Sequence, residues 1–203
     1  MTVRIAVIVE GATEAGFKPA LLRFLEGRLR SGQTPRLRFI PSDGRIPKGE
    51  ALKRDVSLLL KRHDAVIALT DVYAGPPPHD FQTAAEAKMK MHGWVGAGPR
   101  FFPHAAQHDF EAWLLPYWPR IQRLAGSDRK PPPAAPETVN HERPPARLLA
   151  EIFRTGRNKR SYSKVRDGKE ILKDQDLTVA AAACPELKAF LNTILSLSGG
   201  EPL

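Results

Sequence analysis

The fold is decided by "VRIAVIVEGATEAGFKPALLRFLEGRL", residues 3–29. Residues 3–9 form a continuous apolar run rich in β-branched side chains, which is typical of a strand buried on both faces of a parallel sheet. From Thr13 to about Leu29 the apolar residues recur at helical spacing, and threonine is a residue type that caps helix N-termini. The stretch therefore predicts a strand followed by a helix, with a carboxylate, Glu10, at the tip of the strand.

The alternation of strand and helix continues through the first half of the chain. We predict further strands at 37–40, 65–70 and 100–103. We predict helices at 50–62, through Met91 and from 108. This order is typical of a doubly wound α/β domain with a mainly parallel, four-stranded sheet flanked by helices. Beyond it we expect helices at 145–154 and 185–196, separated by a basic stretch.

Composition supports three segments. We expect an α/β core at residues 1–125, a proline-rich loop at 126–145, and a basic, helical C-terminal extension at 146–203 that packs on the core. The hydrophobic content of 42% and charged content of 26% are those of a soluble globular protein. No apolar run approaches the ~20 residues of a membrane span, and no secretory pattern opens the chain. We therefore expect a cytoplasmic protein.

The charge of the chain predicts a polyanionic partner. A net charge of +9 and a pI near 9.9 favour nucleic acid, although a solvated basic surface would give the same values. The basic residues concentrate between positions 157 and 169, where a tyrosine, Tyr162, stands among them. Such a cluster can neutralise phosphates, while the tyrosine can stack on a base or hydrogen-bond a phosphate. The single cysteine, Cys184, excludes a disulfide framework.

Acids follow two of the predicted strands. Glu10 ends the first and Asp71 ends the third. Functional groups of open parallel sheets gather at the carboxyl ends of the strands. If these strands are neighbours, the two carboxylates converge, and a divalent cation such as Mg²⁺ would relieve their repulsion. The alternative for each acid alone is a cap for the next helix.

Four motifs, taken in order, resemble a family. "VEGATEAGF" is similar to the first motif of the Toprim (topoisomerase-primase) fold, and "ALTDVYAGP" is similar to its third-strand motif. The full set resembles a Toprim-related bacterial family of poorly defined function. The motifs are Val9-Glu10-Gly11 with Thr13-Glu14, Asp71 with Tyr73, His108 with Phe110-Glu111-Ala112, and Tyr162 with Lys164.

This resemblance implies a Toprim-like core that cleaves phosphodiesters with Mg²⁺ or Mn²⁺. Glu10 would be the invariant acid, as general acid/base or metal ligand, and Asp71 the first metal-binding aspartate. Tyr73 stands where Toprim nucleases place a second aspartate, so the metal site needs another acid. Glu111 and Glu14 are the candidates, against the alternatives of a structural network and a helix-dipole acid. The resemblance also implies an ATPase partner and a phage-defence or mobile-element context.

The substrate-binding candidates are His108, Tyr73, Arg160, Tyr162 and Lys164. In contrast, we expect His104 to be structural, and three aromatic residues, Trp113, Tyr117 and Trp118, to pack in the core.

Three functions are compatible with the sequence. The leading hypothesis is a metal-dependent nuclease with Glu10, Asp71 and Glu111 as catalytic residues. The second is a non-catalytic subunit that binds an ATPase or nucleic acid, with Tyr73 as the mark of a decayed metal site. The third, which the basic charge favours less, is hydrolysis of a small phosphate ester.

Overall fold

The computed structural model describes residues 2–42, 44–72, 80–96, 98–138 and 143–203. Its sheet has four parallel strands in the order β2-β1-β3-β4. Their bounds are β1 Arg4–Val9, β2 Arg36–Pro41, β3 Ala65–Asp71 and β4 Phe101–Ala106. Tyr73 lies outside the described residues. The sequence-based prediction of a parallel four-stranded α/β fold with helices at the C-terminal end is confirmed.

Helices cover both faces of the sheet. In the first half they are α1 Ala12–Glu26, α2 Gly49–Leu59 and α3 Ala84–Val95. After β4 come a 3₁₀ helix at Phe110–Tyr117, α4 Trp118–Ala125, a short 3₁₀ turn at Pro136–Thr138, α5 Pro145–Thr155, α6 Lys164–Leu172, α7 Leu177–Ala183 and α8 Pro185–Leu197.

The prediction that the basic stretch only separates two helices is wrong. Helix α6 begins inside it, at Lys164. The sequence does not show the apolar periodicity of a helix here, because α6 has more charged residues than buried apolar ones, of which Ile171 and Leu172 pack in the core. Asp167 neutralises two arginines that precede it, Arg160 and Arg166, which compensates part of the positive charge of this basic segment.

Two hydrophobic layers follow from the period-two alternation of the strands. Ile5, Val7 and Val9 of β1 face a large core shared with α1 and the C-terminal helices. Ala6 and Ile8 face a smaller core shared with α2 and α3. Because both faces are covered, the central strands read as unbroken apolar runs.

The C-terminal half contributes to the larger core. The Phe17 ring of α1 lies 5.6 Å from Phe110, 6.3 Å from Trp113 and 6.4 Å from Phe190 of α8, centroid to centroid. The expectation that Trp113, Tyr117 and Trp118 are core residues is confirmed, since each is buried. Among the described residues, helices long and apolar enough to cross a membrane do not occur.

Gly156 allows α4 and α5 to meet backbone to backbone. A Cβ at this position would collide with the carbonyl of Ala125, the last residue of α4. We expect Gly156→Ala to lower the free energy of unfolding by about 3 kcal/mol, because backbone has little room to move away. Gly93, within α3, has open space where a Cβ would stand. Gly93→Ala should therefore stabilise by about 0.5–1 kcal/mol.

Urea denaturation of both variants checks this pair. Equal stabilities for Gly156→Ala and the wild type would contradict the close approach of the two helices.

Candidate functional site: an acidic cluster at the carboxyl ends of the strands

Glu10 and Asp71 meet at the edge of the sheet. Strands β1 and β3 are neighbours, with Val9 opposite Leu69, so the residues that follow are brought together. The Glu10 Oε1 accepts a hydrogen bond of 3.0 Å from the backbone N–H of Asp71 and another from the Thr70 hydroxyl. Both acids are buried. The condition that the sequence left open, that these two strands are neighbours, is therefore met, and the two acids lie together.

Both carboxyls hold their protons more strongly than usual. Burial, with a smaller contribution from Glu14, raises the pKa of Glu10 to about 7, although hydrogen bonds from Thr70 and Asp71 act in the other direction. Burial also raises the pKa of Asp71 well above its ordinary value. After burial, the neighbouring carboxylates that raise it are, in decreasing order of effect, Glu10, Glu14, Asp109 and Glu111.

Glu14 caps the start of helix α1 and also belongs to the group of buried acids around Glu10 and Asp71, which we call the acidic cluster. Its Oε2 accepts a hydrogen bond of 3.0 Å from the Gly11 N–H, which is the reciprocal contact of a capping box at the start of α1. The same side chain is buried and acts electrostatically on Glu10 and Asp71. The two sequence-based interpretations of Glu14, helix-terminal acid and cluster member, are therefore compatible.

Glu111 reaches the cluster from the segment after β4. It is fully buried on the 3₁₀ helix, and its Oε1 and Oε2 lie 3.3 and 3.4 Å from the Lys164 Nζ. Burial raises the pKa of Glu111, while the ammonium of Lys164 partly offsets this effect. A buried carboxylate is stabilised by a cation beside it, and removing that cation would leave an uncompensated charge in the interior.

Asp109 also belongs to the cluster, although it is not among the site residues predicted from the sequence. Its Oδ2 accepts a hydrogen bond of 3.1 Å from Ala146 N–H, and its buried Oδ1 has no hydrogen-bond partner in the described part of the chain. Burial, then Glu111, raises the pKa of Asp109 to about 7. Its position shortly after β4, at the same sheet edge as Glu10 and Asp71, was the signal that could have identified it.

Lys164 provides the positive charge of the cluster. It is the first residue of α6, and its side chain is 52% exposed, so the ammonium reaches both the buried Glu111 and solvent. Partial burial opposes its charge, but Glu111, Asp71 and Asp109 outweigh this and raise the pKa of Lys164. The ammonium is therefore firmly protonated at the mouth of the site.

Asp167 holds α6, and with it Lys164, in place. Its buried carboxylate accepts hydrogen bonds of 2.9 and 2.8 Å from the Arg160 Nη1 and one of 2.7 Å from the Ser163 N–H. Arg166 adds contacts of 3.1 and 3.3 Å. Together these donors outweigh burial and lower the pKa of Asp167. Arg160 thus has a structural partner, and its substrate-binding role stays a prediction.

Tyr162 is packed as well. Its ring lies 5.3 Å from that of Phe153, which also contacts the Arg160 guanidinium at 4.5 Å. Its buried hydroxyl lies near Glu111, and burial, followed by the charge of Glu111, raises the pKa of Tyr162. The Tyr162 ring could stack on a base only if it moved away from Phe153. The predicted substrate-binding role of Tyr162 therefore also stays a prediction.

The two histidines differ in their surroundings. His104 lies in β4, contacts the Thr193 Oγ1 through Nε2 at 3.0 Å, and packs edge-on against Phe190. Burial lowers the pKa of His104 to about 4, so it stays neutral, as expected for a structural histidine. His108 is buried in a left-handed conformation with φ 73°, next to the backbone of Glu137. Its substrate-binding role stays a prediction.

The donor set fits a hard divalent cation. Across the described ranges, groups of three or more histidine, cysteine, aspartate or glutamate side chains in metal-binding geometry are not found. The chemistry nevertheless suits Mg²⁺ or Mn²⁺, which prefer carboxylate oxygens. The unpartnered Asp109 oxygen and the mutual repulsion at Asp71 are the features that a cation would relieve.

Solved structures with a similar fold come from OLD proteins. The C-terminal region of the Burkholderia pseudomallei OLD protein aligns with a TM-score of 0.55 at 13% identity, covering 98% of this chain and 100% of that chain. The C-terminal region of the Xanthomonas campestris pv. campestris OLD protein gives a TM-score of 0.44 at 14% identity, over 92% of this chain and 95% of that one. At 13% identity the first of these likenesses shows the fold alone.

Sequence comparison gives the family. No curated protein is a significant match to the chain. A family model described as a domain of unknown function, DUF4276, matches residues 9–195, which include Glu10, Asp71, Glu111 and Lys164. Because the match spans most of the sequence, this protein belongs to the DUF4276 family.

Proposed function

We propose that this protein is a divalent-metal-dependent phosphodiesterase that cleaves nucleic acid. The observation that carries the proposal is the burial of acids from three separate segments at one sheet edge, beside one lysine. Burying several carboxylates together costs free energy, and structural needs such as helix capping account for only part of the set. Clusters with such perturbed protonation are typical of catalytic sites.

The acids would divide into metal ligands and a proton carrier. Asp71, Glu14 and Glu111 would hold Mg²⁺ or Mn²⁺, and Glu10 would serve either as a further ligand or as the proton carrier. A cation there would stabilise the negative charge that develops on the phosphate. A carboxyl with a pKa near 7, such as that of Glu10, is suited to exchange a proton at neutral pH.

Lys164 would contact the substrate. Its ammonium is partly exposed at the mouth of the cluster and is held in its charged form by the acids behind it. It could therefore bind a phosphate oxygen of the scissile group. The net charge of +9 favours a long polyanion over a small phosphate ester.

The motif resemblance to Toprim proteins and the fold shared with the OLD C-terminal region support this proposal. The resemblance also supports a separate ATPase partner and a role in phage defence. Both are part of the proposal.

A non-catalytic binding subunit is the second candidate. It is favoured by the internal pairing of the acids, because Lys164 already neutralises Glu111 and Glu10 already accepts two hydrogen bonds. In that case the acids no longer bind a metal, and groups within the fold compensate their charges.

Replacing Glu10 tests catalysis. We expect Glu10→Gln to reduce cleavage of plasmid, single-stranded DNA or RNA in Mg²⁺ or Mn²⁺ by about 100-fold or more, because a metal ligand or the proton carrier is lost. Glu50→Gln is the matched control, since Glu50 is 85% exposed on α2. Equal cleavage, or none, by wild type and Glu10→Gln would favour the binding subunit.

Replacing Lys164 tests its contact with phosphate. Lys164→Met should lower kcat/KM by about 10- to 100-fold. It should also move the acidic limb of the pH–rate profile to higher pH, because Glu111 loses the ammonium that lowers its pKa. Lys169→Met, on the same helix, is the control. An unchanged pH profile with Lys164→Met would place Lys164 outside the reaction.

Stability without metal should depend on the buried acids. The pKa values of Glu10 and Asp109 are raised to about 7, so folded protein retains protons that the unfolded chain releases near pH ~4. Their stabilising contribution is complete below that pH and is lost as pH rises to about 7.

In EDTA at pH 8, Glu10→Gln and Asp109→Asn should therefore exceed wild type in free energy of unfolding by about 1–3 kcal/mol. Below about pH 4.5 the difference in free energy of unfolding between the variants and the wild type should vanish. At pH 8, Mg²⁺ should make this difference smaller. Chemical denaturation across pH measures this. Wild-type stability that does not fall between about pH 5 and 8 in EDTA would contradict the raised pKa values that burial and the neighbouring carboxylates give these acids.

A further inference from the structure

A cleft lies on the opposite face of the sheet from the C-terminal helices. It has a volume of about 420 Å³, within the range of ligand-binding pockets. Its walls come from the ends of β1 and β2 and from α2, and they are mainly apolar: Ile8, Ile40, Pro41, Pro47, Leu58 and Leu59. Leu58 is 52% exposed, which leaves the cleft open to an occupant.

The cleft adjoins the acidic cluster through one loop. Ile8 is two residues before Glu10. The Ser42 N–H bonds to the Val9 carbonyl at 2.9 Å, and the Gly44 N–H bonds to the Glu10 carbonyl at 2.8 Å. The segment that carries Ser42 therefore forms a wall of the cleft and is hydrogen-bonded to the backbone of the acid itself.

Arg45 connects the two places electrostatically. It lines the cleft, pairs with Asp80 at 3.0 Å, and its charge acts on the Glu10 carboxylate. A phosphate bound near Glu10 would thus be attracted by a cation that also lines the cleft.

The face of β2 that leads to the cleft is basic. In the parallel register, Arg36 lies opposite Arg4, Arg38 opposite Ala6, and Ile40 opposite Ile8, so Arg36 and Arg38 share the face of Ile40. Both arginines are exposed, and neither has an ion-pair partner in the described ranges. A polyanion that lies along β2 would find positive charge up to the mouth of the cleft.

The polar groups of the cleft suit the edge of a nucleobase. The Asp55 carboxylate, 36% exposed, accepts hydrogen bonds as exocyclic amino groups of bases require. The Ser42 hydroxyl can donate or accept. Apolar walls with a few polar groups at their rim are how proteins hold an unstacked base.

We propose that this cleft binds one nucleobase of the nucleic-acid strand whose phosphodiester is cleaved at the acidic cluster. The proposal deepens, and rests on, the proposed nuclease function. The strand passes over Arg36 and Arg38, places an unstacked base between Leu58 and Ile40, and brings the adjoining phosphate to Glu10 and Lys164. The substrate is accordingly single-stranded at this point.

Methyl NMR of the wild-type chain in EDTA tests the base contact without cleavage. Millimolar AMP or CMP should shift the methyl signals of Ile8, Ile40, Leu58 and Leu59, whereas ribose 5-phosphate, which lacks the base, should leave them in place. Methyl groups of Ile121 and Leu191, which lie in the other layer, are the internal control. Absence of shifts at the cleft, or equal shifts with the sugar phosphate, would overturn the proposal.

A pair of charge-introducing variants tests the same contact with a labelled single-stranded oligonucleotide in EDTA. Leu58→Asp should weaken binding about fivefold or more, because a base no longer finds an apolar wall. Val179→Asp, at a residue 50% exposed on α7, should change it less than about twofold. Equal effects of the two variants would overturn the proposal.

A second pair of variants tests whether the basic face of β2 binds the nucleic acid. Arg38→Ala should reduce the slope of log affinity against log salt by about 1, while Arg123→Ala, on exposed α4 surface, should not. If both variants reduced the salt dependence of binding equally, the nucleic-acid strand would not pass along β2. Base-specific shifts together with no cleavage in Mg²⁺ or Mn²⁺ would retain the cleft and reject the nuclease, so the two proposals fail separately.

Discussion

The structure depends on keeping several carboxylates out of water at one edge of a parallel sheet. Moving a carboxylate from water into a protein interior costs several kcal/mol unless the charge is paired or lost. This protein reduces the cost in three ways: backbone and hydroxyl donors bond Glu10, an ammonium pairs with Glu111, and raised pKa values let protons neutralise the rest.

The C-terminal half is part of the site as well as of the core. Lys164 reaches Glu111 only because α6 lies along α1, and α6 is held there by the buried Asp167 and its arginine partners. Basic residues that look like a nucleic-acid surface in sequence are thus partly used inside the fold. What remains exposed for a polyanion includes the β2 face, in the other layer.

The strands and the acids at their ends were predictable because both depend on local patterns. A continuous β-branched run indicates a two-sided buried strand, and a parallel sheet puts all strand ends on one edge, so Glu10 and Asp71 could be placed at the same edge. That β1 and β3 are neighbours, which brings the two acids together, came from the structure. Asp109 was missed because the motif resemblance rests on Glu111, two positions later.

The inward pairing of Arg160 and the packing of Tyr162 could not be predicted from the sequence. The ion pair of Arg160 with Asp167 and the ring contact of Tyr162 with Phe153 depend on how the chain turns into α6.

By itself the sequence determined the α/β class, the order of strands and helices in the first half of the chain and the acids that end the strands, since alternation and strand length follow from the spacing of apolar residues. Only the tertiary structure decided which acids share one environment, which cations already have partners, and where an apolar cleft opens beside the cluster. The physical reason is that desolvation and charge–charge energies depend on distances through space, and these distances are set when two layers of helices close over the sheet.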